Sequence, residues 1–341
     1  MKILKPGTEW DSTLAKLSAK DIYFTGEYHV SFEKSMQRVA RAFVYEEGAN
    51  IFFYPFMLSR ISKIGNIDLS QKYYDIETVY GYTGPLTNYD DTVFLQKACD
   101  GFYQYCEGGN IICEMVRYNP LLKNDRYIGK KTQKIFNRHT IAIELGNPEN
   151  LWTGYHPKLR NDLKRCEKLG LQFSQNSVGA EEFKELYAAT MRRIKATDFY
   201  IFDSSHFKYC QGNMHIFSVR ENGEILAAAI ILTYGEFMHY HLAASADSPN
   251  QAYAGKYLIH KAAEWGINNG YKIFHLGGGR TTADDDNLLF FKKRFGTLVN
   301  DFYIGKTIFK QADYEELCNK WRMQGGMAPA GFLQCYRLPI S

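Results

Sequence analysis

The segment LLFFKKRFGT, residues 288–297, places three cations inside a cluster of aromatic side chains. A solvated helix face would spread its charges at helical spacing, and a buried strand would carry none. An ammonium group held among rings in a partly dry site stabilises negative charge far better than one in water. The segment therefore indicates contact with an anionic group. The alternative is a basic edge whose lysines pair with the acidic run Asp284, Asp285 and Asp286.

Two histidines lie in a second stretch that could do chemistry. His239 and His241 flank Tyr240, so a strand would place both imidazoles on one face. Histidine is the usual general base near neutral pH. The alternative is that both side chains bond to neighbours in a packed sheet. Glycines 277–279, after the strand-like YKIFHL, either permit close approach of a ligand or simply make a turn.

A basic helix is predicted over residues 157–169, with Pro157 at its first position. Its apolar stripe consists of Leu159, Leu163 and Cys166. A second face, called the basic face below, carries Arg160, Lys164 and Lys168. Such a face is typically solvated. The alternative is a docking surface for the phosphates of a nucleotide-linked acceptor or of a tRNA acceptor stem.

The second half of the chain sets these residues in a specific order of elements. Strand-like runs cover 214–222, 225–234 and 237–245. Asn-Gly and Gly-Glu dipeptides, both suited to hairpin turns, separate them. A helix over 252–270 and a strand over 271–276 follow. The helical crossover predicts that this last strand runs parallel to the third.

The first half repeats this order more faintly. A hairpin around Gly48 precedes a third strand over 73–82, a helix over 92–105 and a closing strand over 110–118. Turn-forming residues concentrate at 147–157. We therefore expect two domains of similar architecture, residues 1–150 and residues 151–341.

Composition excludes several classes of protein. A net charge of +4 over 341 residues is too small to indicate general attraction to DNA. The seven cysteines form no CxxC pair, which argues against a zinc site or a disulfide framework. The apolar run 225–234 is too short to span a membrane. The first ten residues contain lysines and a proline where a signal peptide needs an apolar stretch. We expect a cytoplasmic protein with no metal site. Peripheral membrane contact and the oligomeric state stay open.

Four segments resemble the FemABX family, the Fem-type peptidoglycan aminoacyltransferases, and their relatives with a GNAT domain. They are GYTGP (81–85), the basic stretch 155–171, the helix-to-strand stretch 255–279, and FFKKRFG (290–296), which resembles the family's Phe-Lys-x-x-Phe-Gly signature. The resemblance implies an α/β fold with two tandem GNAT-like domains and mixed sheets. Only some forty residues separate the basic helix from the next strand, so the long helical arm of many Fem-type enzymes is not expected.

The family resemblance also implies an activity, the transfer of an acyl or aminoacyl group onto an amine by direct attack. The acceptor would be a cell-envelope precursor, either a muropeptide or a nucleotide- or lipid-linked amino sugar. The co-substrate would be aminoacyl-tRNA or acetyl-CoA, with no permanently bound cofactor. Two alternatives stay open. One is an acetyl-CoA-dependent N-acetyltransferase of surface polysaccharide synthesis, and the other is a non-catalytic relative that binds carbohydrate or tRNA.

On this resemblance, Lys292 is the catalytic residue that stabilises negative charge as the amine attacks a carbonyl. The expected substrate-binding residues are Tyr80, Tyr82, Arg193, Tyr200, His239, His241 and Lys293. We expect Tyr80, Tyr82 and Lys292 to line a cleft between the domains. Gln251 and Gly255 occupy the acetyl-CoA pyrophosphate loop, but their spacing differs by one residue from the usual GNAT pattern. The loop is therefore predicted to bind acetyl-CoA weakly.

Overall fold

The computed structural model describes residues 1–195, 211–283, 285–296 and 298–340. Within those ranges the strands are β1 (Lys2–Leu4), β2 (Val39–Glu47), β3 (Asn50–Ile64), β4 (Ile67–Glu77), β5 (Leu86–Thr87), β6 (Ile111–Arg117), β7 (Gln133–Glu144), β8 (Gln172–Gln175), β9 (Met214–Glu221), β10 (Glu224–Tyr234), β11 (Phe237–Ser245), β12 (Ile273–Gly278) and β13 (Leu298–Ile308). The α-helices are α1 (Thr8–Ala15), α2 (Gly26–Met36), α3 (Thr92–Gly108), α4 (Pro148–Gly154), α5 (Pro157–Lys168), α6 (Ala180–Arg193), α7 (Gln251–Asn268), α8 (Asn287–Lys293) and α9 (Gln311–Arg322).

The chain folds into two compact units. Unit 1 contains Met1–Asn137 together with Phe302–Ser341, and unit 2 contains Arg138–Asp301. This division differs from the predicted one, which placed the C-terminal residues in the second domain. The reason is that β13 pairs antiparallel with β6 from Ile304 onward, and α9 buries Trp321 in a core cluster of unit 1.

In unit 1 the strands follow the order β1-β2-β3-β4-β6-β13. The chain crosses through α3 to make β4 and β6 parallel, as the sequence predicts. The predicted third strand, however, ends at Glu77 and not at residue 82. Gly81 and Gly84 adopt φ values of 108° and 91°, in the left-handed region, and this backbone cannot continue a strand.

In unit 2 the strands follow the order β7-β12-β11-β10-β9-β8. Asn222 and Gly223 both have positive φ, 52° and 89°, which is the backbone of a type I′ hairpin turn between β9 and β10. The chain then crosses through α7, and β12 pairs parallel with β11. The predicted crossover is therefore confirmed.

Helices α5 and α7 pack together over the core of unit 2. Leu159, Leu163 and Cys166 are all buried in that core, as the apolar stripe of α5 predicts. Helix α6 attaches to the end of β11, where the Thr190 hydroxyl donates to the Ser245 carbonyl at 3.1 Å. Among the described residues, α7 with 18 residues is the longest helix.

Candidate active site

Two phenylalanines anchor the helix that carries Lys292. Phe295 is buried in the core of unit 2, where its ring meets Tyr155 edge-on with the ring centroids 5.7 Å apart. Phe291 lies one turn earlier and meets Phe295 edge-on at 5.3 Å. These two rings therefore share one side of the segment and hold it in the core.

Asp286 organises the loop in front of α8. One carboxylate oxygen accepts hydrogen bonds from the backbone N–H groups of Leu288 and Leu289, both at 2.9 Å. The other accepts from the backbone of Arg280 and Thr281 at 3.0 and 2.9 Å. Burial raises the pKa of this carboxyl, but the hydrogen bonds outweigh burial and bring the pKa well below its ordinary value. Asp286 therefore caps α8 as a carboxylate.

Lys292 is buried, with 7% of its surface exposed. Its Nζ donates a hydrogen bond to the Gly278 carbonyl at 2.8 Å, at the carboxyl end of β12. Burial lowers the pKa of Lys292 to about 7, while the charge of Asp286 raises it and that of Arg138 lowers it. A lysine titrating near neutral pH presents an ammonium group to a developing negative charge, and it exchanges its proton readily.

Arg138, in β7, is a cation near Lys292 that the sequence analysis did not identify. Its Nη1 donates to the Gly279 carbonyl at 2.8 Å, so Arg138 and Lys292 bind successive carbonyls of one turn. A Cβ on Gly278 would lie 2.8 Å from the Arg138 side chain, and one on Gly279 would lie 2.4 Å from Asp286. These glycines are thus required for close packing of the charged side chains around the turn.

The glycine that closes the signature segment has a packing role as well. A Cβ on Gly296 would lie 2.2 Å from the carbonyl oxygen of Ala142 in β7. Any side chain would push the end of α8 away from the sheet. Gly296 therefore sets how closely the segment carrying Lys292 approaches β7.

His239 and His275 lie side by side on β11 and β12, where they are paired in the parallel register. Both are buried, and their rings meet edge-on at 5.6 Å. Burial, with the charges of His239 and Lys292, lowers the pKa of His275 well below its ordinary value. His241 is half-buried and falls at a bulge, because Tyr240 and Leu242 oppose adjacent residues of β10. The regular alternation of side chains between the two faces of β11 therefore ends at Tyr240. The sequence-based prediction that it continues through His241 is wrong.

Arg193 and Gln251 meet at the start of α7. Arg193 Nη2 donates to the Ser245 carbonyl at 2.9 Å and to Gln251 Oε1 at 3.3 Å. The added Cβ of a side chain at Gly255 would meet no atom within 4 Å, so packing does not require a glycine there. Tyr200, the predicted neighbour of Arg193, lies outside the described residues.

The remaining predicted residues are more dispersed. On the basic face, Lys164 and Lys168 are exposed, and Arg160 donates to the Thr153 carbonyl at 3.4 Å. Lys293 is exposed in the last turn of α8. Their binding roles stay predictions.

Tyr80 and Tyr82 belong to unit 1 and lie beyond the end of β4. Tyr28 donates its hydroxyl hydrogen to the Tyr80 carbonyl at 2.8 Å. The ring of Tyr82 meets Phe302 edge-on with centroids 5.1 Å apart. Both tyrosines are half-buried, and their predicted contact with a substrate stays a prediction.

Two kinds of feature are missing from the described part of the chain. No group of three or more His, Cys, Asp or Glu side chains there is arranged to hold a metal ion. No helix in the same ranges combines the length and apolar character needed to cross a membrane.

Comparison with known proteins finds similarity to GNAT and Fem-type proteins. Residues 155–285 match the model of the acetyltransferase (GNAT) domain. A Weissella viridescens protein named UDP-N-acetylmuramoylpentapeptide-lysine N(6)-alanyltransferase is 27% identical over 156 residues, which is 45% of this chain and 46% of that protein. The crystal structure of FemX matches 93% of this chain and 99% of its own with a TM-score of 0.71 at 14% identity. The predicted resemblance to Fem-type and GNAT proteins is confirmed.

Another solved structure is similar at the level of fold alone. The L-PGS structure from Bacillus licheniformis matches 88% of this chain and 92% of its own, with a TM-score of 0.57 at 14% identity. The predicted α/β class, two GNAT-like units with mixed sheets, is thus confirmed. The sequence match to the alanyltransferase spans about half of that relative's length.

Proposed function

We propose that this protein transfers an aminoacyl group onto an amine of a cell-envelope precursor. The observation that carries the proposal is the buried Lys292, held at the carboxyl end of β12 by the Gly278 carbonyl. Two comparisons support it: the name of the alanyltransferase relative, which specifies a muramoylpentapeptide lysine as acceptor, and the GNAT match of residues 155–285.

The proposed reaction is a direct attack. The amine lone pair forms a C–N bond to the donor carbonyl carbon, and the carbonyl π electrons move to oxygen. The Lys292 ammonium stabilises this oxyanion, which is worth most in a site with little water. When the C=O bond re-forms, the bond to the ribose oxygen of an aminoacyl-tRNA breaks. The amine loses a proton to water, and the departing ribose oxygen takes up a proton from water to become a hydroxyl group.

Five of the six described cysteines are poorly suited to form a covalent acyl-enzyme. Burial is the main cause that raises the pKa of the thiols of Cys99, Cys106, Cys113, Cys166 and Cys318. For Cys166 in unit 2 the pKa reaches about 11. A thiol with a raised pKa is a poor nucleophile at neutral pH.

The donor has two candidates. The first is aminoacyl-tRNA. The second is acetyl-CoA, which the GNAT match supports, and the corresponding function would be N-acetylation of an amino sugar. Two observations argue against acetyl-CoA. The spacing of Gln251 and Gly255 differs from the usual GNAT pattern, and the Gln251 side-chain oxygen already accepts hydrogen bonds from Arg193 and Ser245. We therefore expect acetyl-CoA to bind weakly and aminoacyl-tRNA to bind well.

A substrate panel tests the proposal. Purified protein is incubated with alanyl-tRNA or acetyl-CoA and with a UDP-linked muropeptide or a UDP-linked amino sugar, and products are detected by mass spectrometry. The proposal expects an aminoacylated muropeptide. Acetylated product alone would favour the N-acetyltransferase. Tight binding of a substrate without product from any pair would favour the non-catalytic relative.

A further inference from the structure

A pocket lies inside unit 1. It is small and partly open to solvent, and residues of β3, α3, β6 and the segment before β7 line it. Half of the twelve described residues that line it are aromatic: Phe52, Tyr54, Phe102, Tyr103, Tyr118 and Tyr127. Such a wall attracts cations through the negative faces of the rings.

Glu114 supplies the charge in this pocket. It is 3% exposed, and among the described residues that line the pocket it alone has an acidic or basic side chain that ionises near neutral pH. Tyr54 donates its hydroxyl hydrogen to Glu114 Oε1 at 2.5 Å, and Thr307 donates to Oε2 at 3.2 Å. A carboxylate offers about four acceptor positions, so these two bonds leave capacity for another donor.

Hydroxyl groups continue the polar part of the wall. Thr307 Oγ1 lies 2.9 Å from Thr132 Oγ1, which lies 3.2 Å from the Tyr103 hydroxyl. This chain of oxygens leads from Glu114 to the aromatic side of the pocket. A primary ammonium group carries three N–H donors and a full positive charge, and it needs this combination of a carboxylate, hydroxyl acceptors and ring faces.

We infer that this pocket binds the primary ammonium group of a small or slender amine, with Glu114 as its counter-ion. An anion would be repelled by the carboxylate, and a bulky apolar group would leave the carboxylate desolvated without a partner. The site does not depend on the transfer chemistry proposed for Lys292. Ordered water is the alternative occupant, and binding of an amine distinguishes the two.

The ionisation of Glu114 gives the binding a pH dependence. Burial raises the pKa of Glu114 to about 7, against the opposing hydrogen bonds from Tyr54 and Thr307. Burial also raises the pKa of the titratable groups whose fields interact with it, namely Tyr54, Cys99, Tyr103, Cys106 and Tyr118. Those groups stay neutral near pH 7. The outer cations Arg126 and Lys131 lie over the rings of Tyr127 and Tyr103. Because the ammonium requires the carboxylate, its affinity should rise about tenfold between pH 6 and pH 8.

Calorimetric titration with methylammonium chloride tests this inference, at pH 8 and at an ionic strength held constant with sodium chloride. We expect saturable binding to the wild-type protein and at least tenfold weaker binding to Glu114→Gln, which keeps the shape but removes the charge. Glu107→Gln is the matched control, because its side chain is 41% exposed and pairs with Lys131 at the surface. It should bind as the wild type does.

Two further arms keep the test decisive. Thr132→Val removes one hydroxyl but keeps Glu114, so it should weaken binding several-fold even if Glu114→Gln does not fold. Tetramethylammonium, which has no N–H donor, should not bind. Absence of methylammonium binding to the wild type, equal binding by Glu114→Gln, or equal binding of potassium would overturn the inference.

Discussion

Replacing Lys292 by Met should change how the stability of the protein depends on pH. The substitution keeps the length and apolar bulk of the side chain and removes its titrating group. In the folded protein burial lowers the pKa of Lys292 from 10.5 to about 7. The unfolded chain has the ordinary value, so the folded state has lost the proton over a range in which the unfolded state still holds it.

The size of the effect follows from this difference. One pKa unit corresponds to about 1.4 kcal/mol, so the full shift is worth about 5 kcal/mol. Because the unfolded state binds more protons between pH 7 and pH 10.5, wild-type stability rises with pH in that range. Lys292→Met lacks this contribution. At pH 7 its free energy of unfolding should match or exceed that of the wild type. Between pH 7 and pH 9 the free energy of unfolding of the wild type should rise by about 2 kcal/mol relative to that of Lys292→Met.

Urea denaturation at pH 7 and pH 9 measures the effect in both proteins. Lys293→Met is the matched control, since Lys293 is the exposed neighbour in the same helix. Its stability relative to the wild type should not change between the two pH values. If the difference between wild type and Lys292→Met were also independent of pH, Lys292 would not be a buried lysine with a lowered pKa.

Two single substitutions near Lys292 and one triple substitution on the basic face give further tests. Gly296→Ala should lower the free energy of unfolding, measured in urea, by about 1–3 kcal/mol, because the added carbon would lie 2.2 Å from the Ala142 carbonyl oxygen. Gly154→Ala is its control, because the carbon added there meets no atom within 4 Å. Equal stability of the two variants would contradict the close approach of Gly296 to β7. Asp286→Asn should lower the free energy of unfolding by about 1–3 kcal/mol at pH 7, because it weakens charged hydrogen bonds. This loss should shrink as pH falls below about 4, where the carboxyl group of the unfolded chain takes up its proton. A loss of stability that persists at low pH would show that the charge of Asp286 does not stabilise the loop. Replacing all three residues of the basic face by Gln should flatten the salt dependence of tRNA binding, with the logarithmic slope falling by about 0.7–0.9 for each phosphate that the protein no longer neutralises; an unchanged slope would identify the face as merely solvated.

The fold of unit 2 was accessible from local sequence signals. The Asn222-Gly223 turn, the apolar spacing of α7 and the return through β12 each depend on residues close together in the chain. The return of the C-terminal residues to unit 1 was not accessible. Alternating residues in a strand indicate a sheet but do not name the partner strand, and the pairing of β13 with β6 joins positions nearly two hundred residues apart.

The site was predictable to a similar extent. The spacing of Phe291 and Phe295 indicated the anchor of Lys292, because residues four apart share a helical face. The contribution of Arg138 depends on the register between β7 and β12, which pairs Thr140 with Gly278. The bulge at His241 likewise arises from pairing with β10. A single sequence carries no direct signal for either pairing.

The central claim is that the Lys292 ammonium stabilises the oxyanion of acyl transfer. Steady-state kinetics of Lys292→Met, with the donor and acceptor pair found in the substrate panel, test it most directly. Lys272→Met, on an exposed residue just before β12, is the control. We predict that turnover falls by about 10²–10³ while the KM for the acceptor changes little. Turnover of Lys292→Met close to that of the wild type and of Lys272→Met would contradict it.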